Sequence, residues 1–330
     1  MNLQQYDRVI IANSGGKDSL ASFLYVLQCG VPREKIELWH HRVDGMPGDI
    51  QGNSPQFGLF DWPCTDAYNE ALGRAFNVPV YFSWRMGGIT REMFRDRSLT
   101  APVCYECPDG VLGTAGGKRG KPNTRRKYPQ QSANLQTRWC SSSVKIDVGD
   151  VALNNQERFQ HGKTLFVTGE RAEESAARAK YKTFEPHRAD RRDGKRVKRY
   201  IDHWRPVHEW PEEKVWKIIE LYRVLVHPAY RLGWGRLSCM ACIFGSDSQW
   251  ASIKEIDPER FNAHAKYERE FNCTIHRTKS LAERVQNAKP YVDMEPLLVT
   301  QALAYEYNMP IFVDDWKLPA GAFGENAGPT

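Results

Sequence analysis

One stretch near the amino terminus, residues 7–20, constrains the fold of this 330-residue chain more than any other. Residues 9–12 read Val-Ile-Ile-Ala, an apolar run rich in β-branched side chains that favours a short buried strand. From Leu20 to Leu27 the apolar residues recur with helical spacing. Between these two patterns, residues 14–19 read Ser-Gly-Gly-Lys-Asp-Ser. The sequence therefore predicts a strand, a glycine turn and a helix.

The turn at residues 14–19 has the features of a phosphate-binding loop. Gly15 and Gly16 allow the backbone to approach a ligand closely, and Lys17 adds a positive charge. The free N–H groups at the start of a helix attract anions. The turn is not a Walker A motif, because that motif has four residues between its first glycine and its Gly-Lys pair. The alternative is an ordinary strand-to-helix turn, but we expect a nucleotide site here.

Strand and helix patterns alternate along much of the chain and predict an α/β fold with a doubly wound parallel sheet. Further strands are expected near residues 35–41, 79–84 and 164–168, with a helix from about Thr65 to Phe76. Ligands of such sheets bind at the carboxyl ends of the strands. A long insertion at about residues 85–137, rich in Gly, Pro, Lys and Arg, interrupts the alternation. So long a connection is usually functional or disordered.

The last part of the chain is predicted to be mainly helical. Helices are expected at about residues 211–222, 258–271, 281–288 and 294–307, the second with Asp257 as its N-cap. We expect a nucleotide-binding domain over residues 1–245 and a helical extension over residues 246–330, with a loosely held tail after Pro319. No apolar run approaches the ~18 residues of a membrane span. The first residues also lack signal-peptide features, which favours a cytoplasmic protein without membrane contact.

Positive charge is concentrated in two segments. Residues 117–128 carry six Lys or Arg and no acid, and residues 171–199 carry eleven against five acids, while the whole chain has a net charge of +6. The aromatic residues Tyr128, Trp139, Tyr181 and Phe184 lie in or near these segments. Basic side chains interleaved with rings are typical of nucleic-acid contacts. The alternatives are solvated loops, or a site for one phosphorylated small molecule.

Eight cysteines in a cytoplasmic chain favour metal ligands, redox groups or buried thiols over disulfides. Cys239-Met-Ala-Cys242 has the ligand spacing of zinc or iron–sulfur sites, although such a pair supplies only half of a four-ligand site. The candidates for the fourth ligand are Cys104, Cys107 and Cys273.

The ordered motifs resemble a known family. Residues 14–19 resemble the PP-loop of the ATP pyrophosphatase-like superfamily (adenine nucleotide alpha hydrolases), which grips the terminal phosphates of ATP during cleavage between the α and β phosphates. Together with three further segments, the loop is similar to the PAPS reductase-like (sulfonucleotide reductase) family over roughly residues 7–245. Those segments are Trp139-Cys140 with Lys145, Thr168-Gly169-Glu170-Arg171 with Glu174-Ser175, and the run from His227 to Cys242.

The resemblance implies a role for each residue of the loop. Backbone N–H groups of Gly15 and Gly16, with the hydroxyls of Ser14 and Ser19, would hold the β and γ phosphates of ATP. Lys17 would neutralise charge that develops on the departing pyrophosphate. Asp18 would hold Mg²⁺ through oxygen, or would serve only as an acid in the first turn of the helix.

Two other strand ends would complete the nucleotide site. Gly169, Glu170 and Arg171 form the turn after the fourth strand, where Glu170 and Arg171 would flank the α-phosphate, Arg171 as a bidentate clamp. The alternative there is a plain surface turn. Asp44 would contact the ribose, or would act only as a turn residue. The catalytic set implied by the resemblance is Lys17, Asp18 and Arg171.

The resemblance also places Cys140 near the loop and so makes it the third candidate ligand. We therefore predict a [4Fe–4S] cluster held by Cys140, Cys239, Cys242 and Cys273. Structural Zn²⁺, with Cys104 and Cys107 as further candidates, and free thiols that include a sulfur carrier are the alternatives.

The chain departs from the thioredoxin-dependent reductases of this family. Those enzymes use a cysteine in a short C-terminal motif, whereas the present sequence has no cysteine after Cys273. Its intact Lys17-Asp18 favours cleavage of ATP itself. The combination looks most like the adenylating subunit of DNA phosphorothioation systems. We expect adenylation of an acceptor that feeds sulfur transfer from a sulfur-donor protein. The alternatives are a reductase of APS or PAPS and a non-catalytic module that binds nucleic acid or a partner.

Overall fold

The computed structural model describes residues 2–49, 58–132, 134–291 and 294–324 of the chain. These residues form an eight-stranded sheet with the order β5-β4-β3-β2-β1-β6-β8-β7. The strands are β1 (Arg8–Ala12), β2 (Ile36–Arg42), β3 (Val80–Arg85), β4 (Val103–Glu106), β5 (Leu112–Ala115), β6 (Lys163–Val167), β7 (Phe184–Pro186) and β8 (Tyr200–Trp204).

The centre of the sheet is parallel and its edges are antiparallel. β1 pairs in parallel with β2 and with β6, β2 pairs in the same way with β3, and β6 with β8. The edge strands β4, β5 and β7 pair antiparallel. The chain moves outward from β1 to β3 and later returns to the other side of β1 at β6. The carboxyl ends of β1 and β6 therefore form a topological switch point, where such sheets bind ligands.

Helices cover the sheet and account for the burial of its central strand. They are α1 (Lys17–Gln28), α2 (Thr65–Phe76), α3 (Gly88–Met93), α4 (Trp139–Ser141), α5 (Asp147–Asn155), α6 (Glu212–Leu221), α7 (Pro228–Arg231), α8 (Asp247–Ile256), α9 (Pro258–Glu270), α10 (Leu281–Val285) and α11 (Pro296–Leu303). A π-helical turn, Ser142–Ile146, joins α4 to α5. Val9, Ile10 and Ile11 of β1 are fully buried, as expected for a strand with helices on both faces. Within the described ranges, no helix has the length and apolar character needed to cross a bilayer.

The predicted α/β fold with a parallel central sheet is confirmed. The bounds of α2 agree with the prediction, and Asp257 caps α9 by accepting a hydrogen bond from the Arg260 N–H at 3.0 Å. The last two helices are shorter than predicted, because α10 ends at Val285 and α11 begins at Pro296 and ends at Leu303. Residues 50–57 of the predicted loop before α2, and residues 325–330 of the predicted tail, lie outside the described residues.

The interpretation of residues 85–137 as an irregular insertion is wrong in part. This segment contains α3 and the antiparallel hairpin β4–β5, which extends the sheet beyond β3. Both strands have only four residues, and Leu112 of β5 is exposed. Strands this short, with one open face, leave little periodic signal in the sequence.

The C-terminal helices share a core with earlier parts of the chain. One hydrophobic cluster joins Phe60 and Met93 to Trp250 of α8, Phe261 of α9 and Leu281 of α10. The predicted boundary at residue 245 falls between the Cys239–Cys242 segment and α8, and it stays a prediction.

Candidate functional site

A cleft of about 330 Å³ lies at the carboxyl ends of β1, β2 and β6, and we call it the first cleft. Most of the strand-end residues predicted to form the site contribute to it. Its lining includes Ser14, Gly16, Asp18, Ser19, His40, His41, Asp61, Lys145, Gly169, Glu170, Glu174, Arg178, Tyr230, Arg236 and Cys239. The phosphate loop and the turn after β6 therefore meet at the switch point of the sheet, next to each other as the family resemblance implied.

The loop after β1 has the backbone geometry of an anion site. Gly15 has a φ of +77°, which L side chains rarely adopt, so glycine is required there. The N–H groups of Gly15 and Gly16 donate long hydrogen bonds of 3.3 Å to Asn13 Oδ1 and to Ser14 Oγ. Ser14 Oγ also lies 3.3 Å from Ser19 Oγ. Phosphate oxygens are stronger acceptors than these side chains, so the loop is suited to receive them.

Two histidines at the end of β2 form a neutral wall of the first cleft. His40 Nδ1 lies 2.9 Å from the Asn13 carbonyl oxygen and 3.1 Å from Asn69 Nδ2. His41 Nδ1 lies 2.7 Å from Ser83 Oγ. Burial lowers the pKa of His40 and lowers the pKa of His41 to about 3. Both imidazoles are therefore uncharged near neutral pH and do not repel a cation bound beside them.

Lys17 directs its side chain away from the first cleft. Its ammonium donates to the Gly235 carbonyl at 2.9 Å and lies 3.5 Å from Glu212 Oε1, with only 2% of the side chain exposed. The Lys17 N–H donates to the Tyr230 hydroxyl at 2.8 Å. Lys17 lines a second cleft, of about 400 Å³, which shares Glu174 and Arg236 with the first cleft.

Arg171 lines the same second cleft and is bonded to carboxylates. Its Nε donates to Asp18 Oδ1 at 2.6 Å, its Nη1 donates to Glu173, and its Nη2 lies 3.7 Å from Glu212 Oε2. The Arg171 guanidinium, which was predicted to clamp an α-phosphate, therefore contacts carboxylates of this chain in this structure. Asp18 faces the first cleft, so its ion pair with Arg171 connects the two clefts.

Of the remaining residues predicted for the nucleotide site, Gly169 and Glu170 line the first cleft and Asp44 does not. Gly169 packs so closely on α1 that a Cβ atom there would lie 2.7 Å from the Asp18 carbonyl oxygen. Glu170 lines the first cleft, accepts a hydrogen bond from Thr168 and lies 3.4 Å from Arg205 Nε. The Asp44 carboxylate instead accepts backbone hydrogen bonds from residues 60 and 61, the latter at 2.8 Å, and borders a separate pocket. This geometry favours the turn role of Asp44 over the ribose contact.

An acid and a lysine face the first cleft beside a thiol. Burial raises the pKa of the Asp61 carboxyl to about 7. Electrostatic interaction with Cys239 raises the pKa of Lys145, so Lys145 is a cation of the cleft near neutral pH. Burial raises the pKa of Cys239, and the Lys145 ammonium acts in the opposite direction. Asp61 was not among the predicted site residues because no local pattern distinguishes an acid in a loop, but it is the carboxyl with a pKa suited to proton transfer near neutral pH.

The predicted four-cysteine centre is not assembled. Among the residues that the structure describes, no three His, Cys, Asp or Glu side chains are grouped so that they could hold a metal ion. The Cys273 thiol instead contacts the Tyr128 carbonyl oxygen at 3.8 Å. Cys140, Cys239 and Cys242 do interact electrostatically with the same Lys145 ammonium. The geometry therefore favours free thiols next to the first cleft over a [4Fe–4S] cluster or a zinc site at these residues.

The other cysteine pair lies in the sheet. The Cys104 thiol is buried on β4 and lies 3.7 Å from Thr114 Oγ1, and Cys107 follows the end of that strand. The pair therefore belongs to the hairpin packing of β4 and β5.

Several residues of the two clefts were missed from the sequence. Arg236 reaches both clefts from the segment before Cys239, and Arg178 reaches the first from the 3₁₀ turn Arg178–Lys180. Glu212 reaches the second from the start of α6. Arg236 follows two glycines in Gly-Trp-Gly-Arg, a signal of close backbone approach that could have drawn attention to it. Glu212 gave no such signal, because an acid in a first helical turn is ordinary.

Two comparisons with known proteins bear on the family of this chain. Residues 120–244 match the phosphoadenosine phosphosulfate reductase domain, a span that includes β6, the turn at Gly169 and the Cys239–Cys242 segment. An uncharacterized 37.8 kDa protein in the gpa 5' region of Escherichia phage 186 is 26% identical over 280 residues, which are 79% of this chain and 74% of that protein. The domain match supports the PAPS reductase family and, with the fold, a nucleotide-binding enzyme of the PP-loop class.

Proposed function

We propose that this protein binds ATP in the first cleft and cleaves its α–β bond to adenylate an acceptor, as the activating step of sulfur transfer. One observation carries the proposal: the phosphate loop, the turn after β6 and the Cys239 thiol border the same cleft at the switch point of the sheet, and Cys140 and Cys242 interact electrostatically with Lys145 of that cleft. Activation and sulfur delivery need to take place within reach of one acceptor.

The residues of the cleft suit a magnesium nucleotide. Backbone N–H groups of the loop and the hydroxyls of Ser14 and Ser19 offer donors to phosphate oxygens, and Lys145 adds a cation. Mg²⁺ in nucleotide sites is usually bound by one or two carboxylates together with the phosphates. Asp18 faces the cleft and is the carboxylate that would serve, while Mg²⁺ would supply charge neutralisation at the phosphates.

The first step transfers the adenylyl group. An acceptor oxygen attacks the α phosphorus, a new P–O bond forms, and the bond to the bridging oxygen breaks, so that pyrophosphate leaves with the bonding electrons. Asp61, as a carboxylate, takes the proton of the acceptor. Lys17 and Arg171 lie in the second cleft, which adjoins the first at Glu174 and Arg236. Rotation of these two side chains toward the loop would bring two cations to the departing pyrophosphate.

The second step consumes a sulfur donor, a sulfide or a protein persulfide. With sulfide, the sulfur attacks the activated carbon, a C–S bond forms and AMP leaves with the C–O electron pair. With a persulfide held on one of the three thiols, its terminal sulfur attacks the activated carbon and AMP leaves. A neighbouring thiol then breaks the S–S bond, which releases the thiolated product, and an external thiol reductant must reduce the resulting disulfide. The spacing of Cys239 and Cys242 suits such a pair.

Product analysis separates this proposal from its rivals. Purified protein given ATP, Mg²⁺ and acceptor should release AMP and pyrophosphate. Release of sulfite from APS or PAPS, without ATP cleavage, would instead favour the reductase. Nucleic-acid binding with no turnover of either nucleotide would favour a non-catalytic module.

Cysteine variants test the sulfur step separately. Cys239→Ser should retain pyrophosphate release and lose sulfur transfer, whereas Cys29→Ser, which changes an exposed thiol, should retain both. Anaerobic purification with iron and zinc analysis completes the test. Colourless, metal-free protein agrees with free thiols, and stoichiometric iron with a broad visible absorption would restore the cluster and overturn this part of the proposal.

A further inference from the structure

One surface segment holds the whole of the chain's excess positive charge. Residues 178–198 contain nine Lys or Arg and three Asp or Glu, a net charge of +6, which equals the net charge of the full chain. The rest of the molecule is therefore neutral overall. We call residues 178–184 the rim segment, because Arg178 at its start lines the first cleft. The hairpin β7–β8 follows it at the edge of the sheet.

Many cations of this segment have no acidic partner. Lys180, Lys182, Lys195, Arg196 and Lys198 are exposed, and they form no ion pair with any residue that the structure describes. Arg188 and Arg192, in contrast, are paired with Asp150 and with Asp190. Unpaired, clustered cations at a sheet edge attract a polyanion, and its counterions are released when it binds.

Two aromatic side chains of this charged segment are exposed to solvent. Tyr181 is 43% exposed and Phe184 is 40% exposed, although aromatic residues are usually largely buried. Tyr128 of the other basic segment and Trp139, which follows it in the chain, are almost fully buried. The nucleic-acid surface predicted from the sequence at residues 117–128 therefore lacks available rings, and the combination of rings with free cations is found at residues 178–198.

The rim segment is held in place by contacts with β8 and the turn after it. Arg205 donates to the Lys182 carbonyl at 2.6 Å, and its guanidinium lies 5.1 Å from the centre of the Tyr181 ring. The His208 ring lies 2.9 Å from the Arg178 carbonyl oxygen. A ring whose backbone is fixed in this way loses little freedom when a base stacks on it.

Arg138 connects this surface with the thiols. It interacts electrostatically with Arg178 and Tyr181 of the rim segment and also with Cys140 and Cys242. A strand that lies along the rim segment would therefore pass close to the groups proposed to transfer sulfur.

From this arrangement we infer that the acceptor is an unpaired stretch of nucleic acid, whose bases stack on Tyr181 and Phe184 and whose phosphates contact the free cations of residues 178–198. Exposed rings favour an unpaired strand, because the bases of a duplex are already stacked on one another. The inference rests on the proposed function for the identity of the cleft, but not for the binding surface itself.

Fluorescence anisotropy with a labelled single-stranded oligothymidylate, a matching oligouridylate and a duplex of equal length tests the inference. We expect tighter binding of at least one single strand than of the duplex. Replacing either ring by alanine (Tyr181→Ala, Phe184→Ala) should weaken single-strand binding by at least about fivefold, since stacking contributes ~1–3 kcal/mol per base. The duplex affinity should change little in these variants.

Matched variants separate charge from stacking. Lys180→Ala with Lys182→Ala should reduce the salt dependence of binding, because two phosphate contacts are lost. Lys118→Ala with Lys121→Ala, which removes the same charge from the other basic segment, should leave the affinity for the single strand within about twofold. Equal affinity for duplex and single strand, or ring variants that bind normally, would overturn the inference.

ATP cleavage measured on the same samples distinguishes the two proposals. The ring variants should retain ATP binding in calorimetry. Oligonucleotide binding without any ATP cleavage would contradict the proposed function and leave the surface intact. ATP cleavage without binding of any oligonucleotide would contradict the surface and leave the proposed function intact.

Discussion

The two clefts beside the phosphate loop contain different parts of the same motif. The first cleft contains its backbone, its hydroxyls and Asp18, together with neutral histidines. The second contains the cations Lys17 and Arg171, surrounded by the carboxylates of Glu173, Glu174, Glu212 and Glu213. In this conformation the donors that hold phosphate are therefore separated from the charges that would stabilise its departure.

The difference between the two clefts indicates that the motif determines the backbone conformation of the loop more strictly than the direction of the Lys17 side chain. The loop conformation follows from Gly15 and from the start of α1. The direction of Lys17 depends on Gly235 and Glu212, which lie about two hundred residues later in the chain. A phosphate with several negative charges competes with Glu212 for both cations. The comparison therefore predicts a side-chain rearrangement on nucleotide binding.

The largest effect is expected at Gly169, which lines the first cleft and packs against Asp18 of α1. Gly169→Ala places a Cβ atom 2.7 Å from the Asp18 carbonyl oxygen, so the turn after β6 must move away from α1. We expect a loss of stability of about 1–3 kcal/mol. Detectable ATP binding should also be lost. Urea unfolding measures the change in stability, and calorimetry measures the binding of ATP.

Gly30→Ala is the control, because it has a φ of +76° but no atom within 4 Å. In Gly30→Ala, the backbone strain of an alanine at positive φ should lower the stability by about 1–2 kcal/mol and leave ATP binding unchanged. Normal ATP affinity in folded Gly169→Ala protein would show that the two clefts do not depend on this contact.

Removal of the lysine in the second cleft should have the next largest effect. Lys17→Met removes the nearer of two cations beside Glu212 and the donor to the buried Gly235 carbonyl, which should destabilise the protein by about 1–3 kcal/mol. Pyrophosphate release should fall at least about 100-fold if Lys17 moves to the leaving group.

The double variant Lys17→Met with Glu212→Gln separates these two roles. It also removes the negative charge that Lys17 faces, so stability should recover in part while turnover stays low. Full turnover in the double variant would mean that Lys17 serves the fold alone. Lys217→Met, on the exposed face of α6, is the charge control.

Removal of an acid from the second cleft should have a smaller effect, and it should strengthen ATP binding. Glu212→Gln keeps an oxygen that can accept the Trp216 N–H bond but removes the charge near Lys17 and Arg171. Weaker competition should tighten ATP binding by about two- to fivefold, or ~0.5–1 kcal/mol. Glu213→Gln, an exposed acid of the same cleft, should change the affinity less. Weaker ATP binding in Glu212→Gln would indicate that the carboxylate positions the cations for the nucleotide.

The sequence was sufficient to predict the parts of the molecule that depend on local patterns. The bounds of α2 and the turn at residues 14–19 follow from residues close together in the chain, whereas the position of the turn after β6 beside that loop was implied by the family resemblance. The antiparallel edge strands did not follow, because four-residue strands are stabilised by pairing with distant partners.

The chemistry of the site was less predictable for the same reason. Tyr128 could have been exposed or buried, and a contact with His264, which lies 136 residues later, places it in the core. The grouping of Cys140 with Cys239 and Cys242 around Lys145, without Cys273, depends on how α4 and the π-helical turn pack against the later segment. Spacing within one motif carries no information about such contacts.

The smallest effect is expected from the titration of the first cleft. Burial raises the pKa of Asp61 to about 7, so its proton-accepting form increases as the pH rises through neutrality. Pyrophosphate release should then rise from pH 6 to pH 8 and reach about half of its plateau near pH 7. His41, with its pKa lowered to about 3, should add no step in this range.

Asp61→Asn should lower the plateau and remove the rise, while Glu70→Gln on the exposed face of α2 retains it. A rise that persists in Asp61→Asn would assign the base to another group.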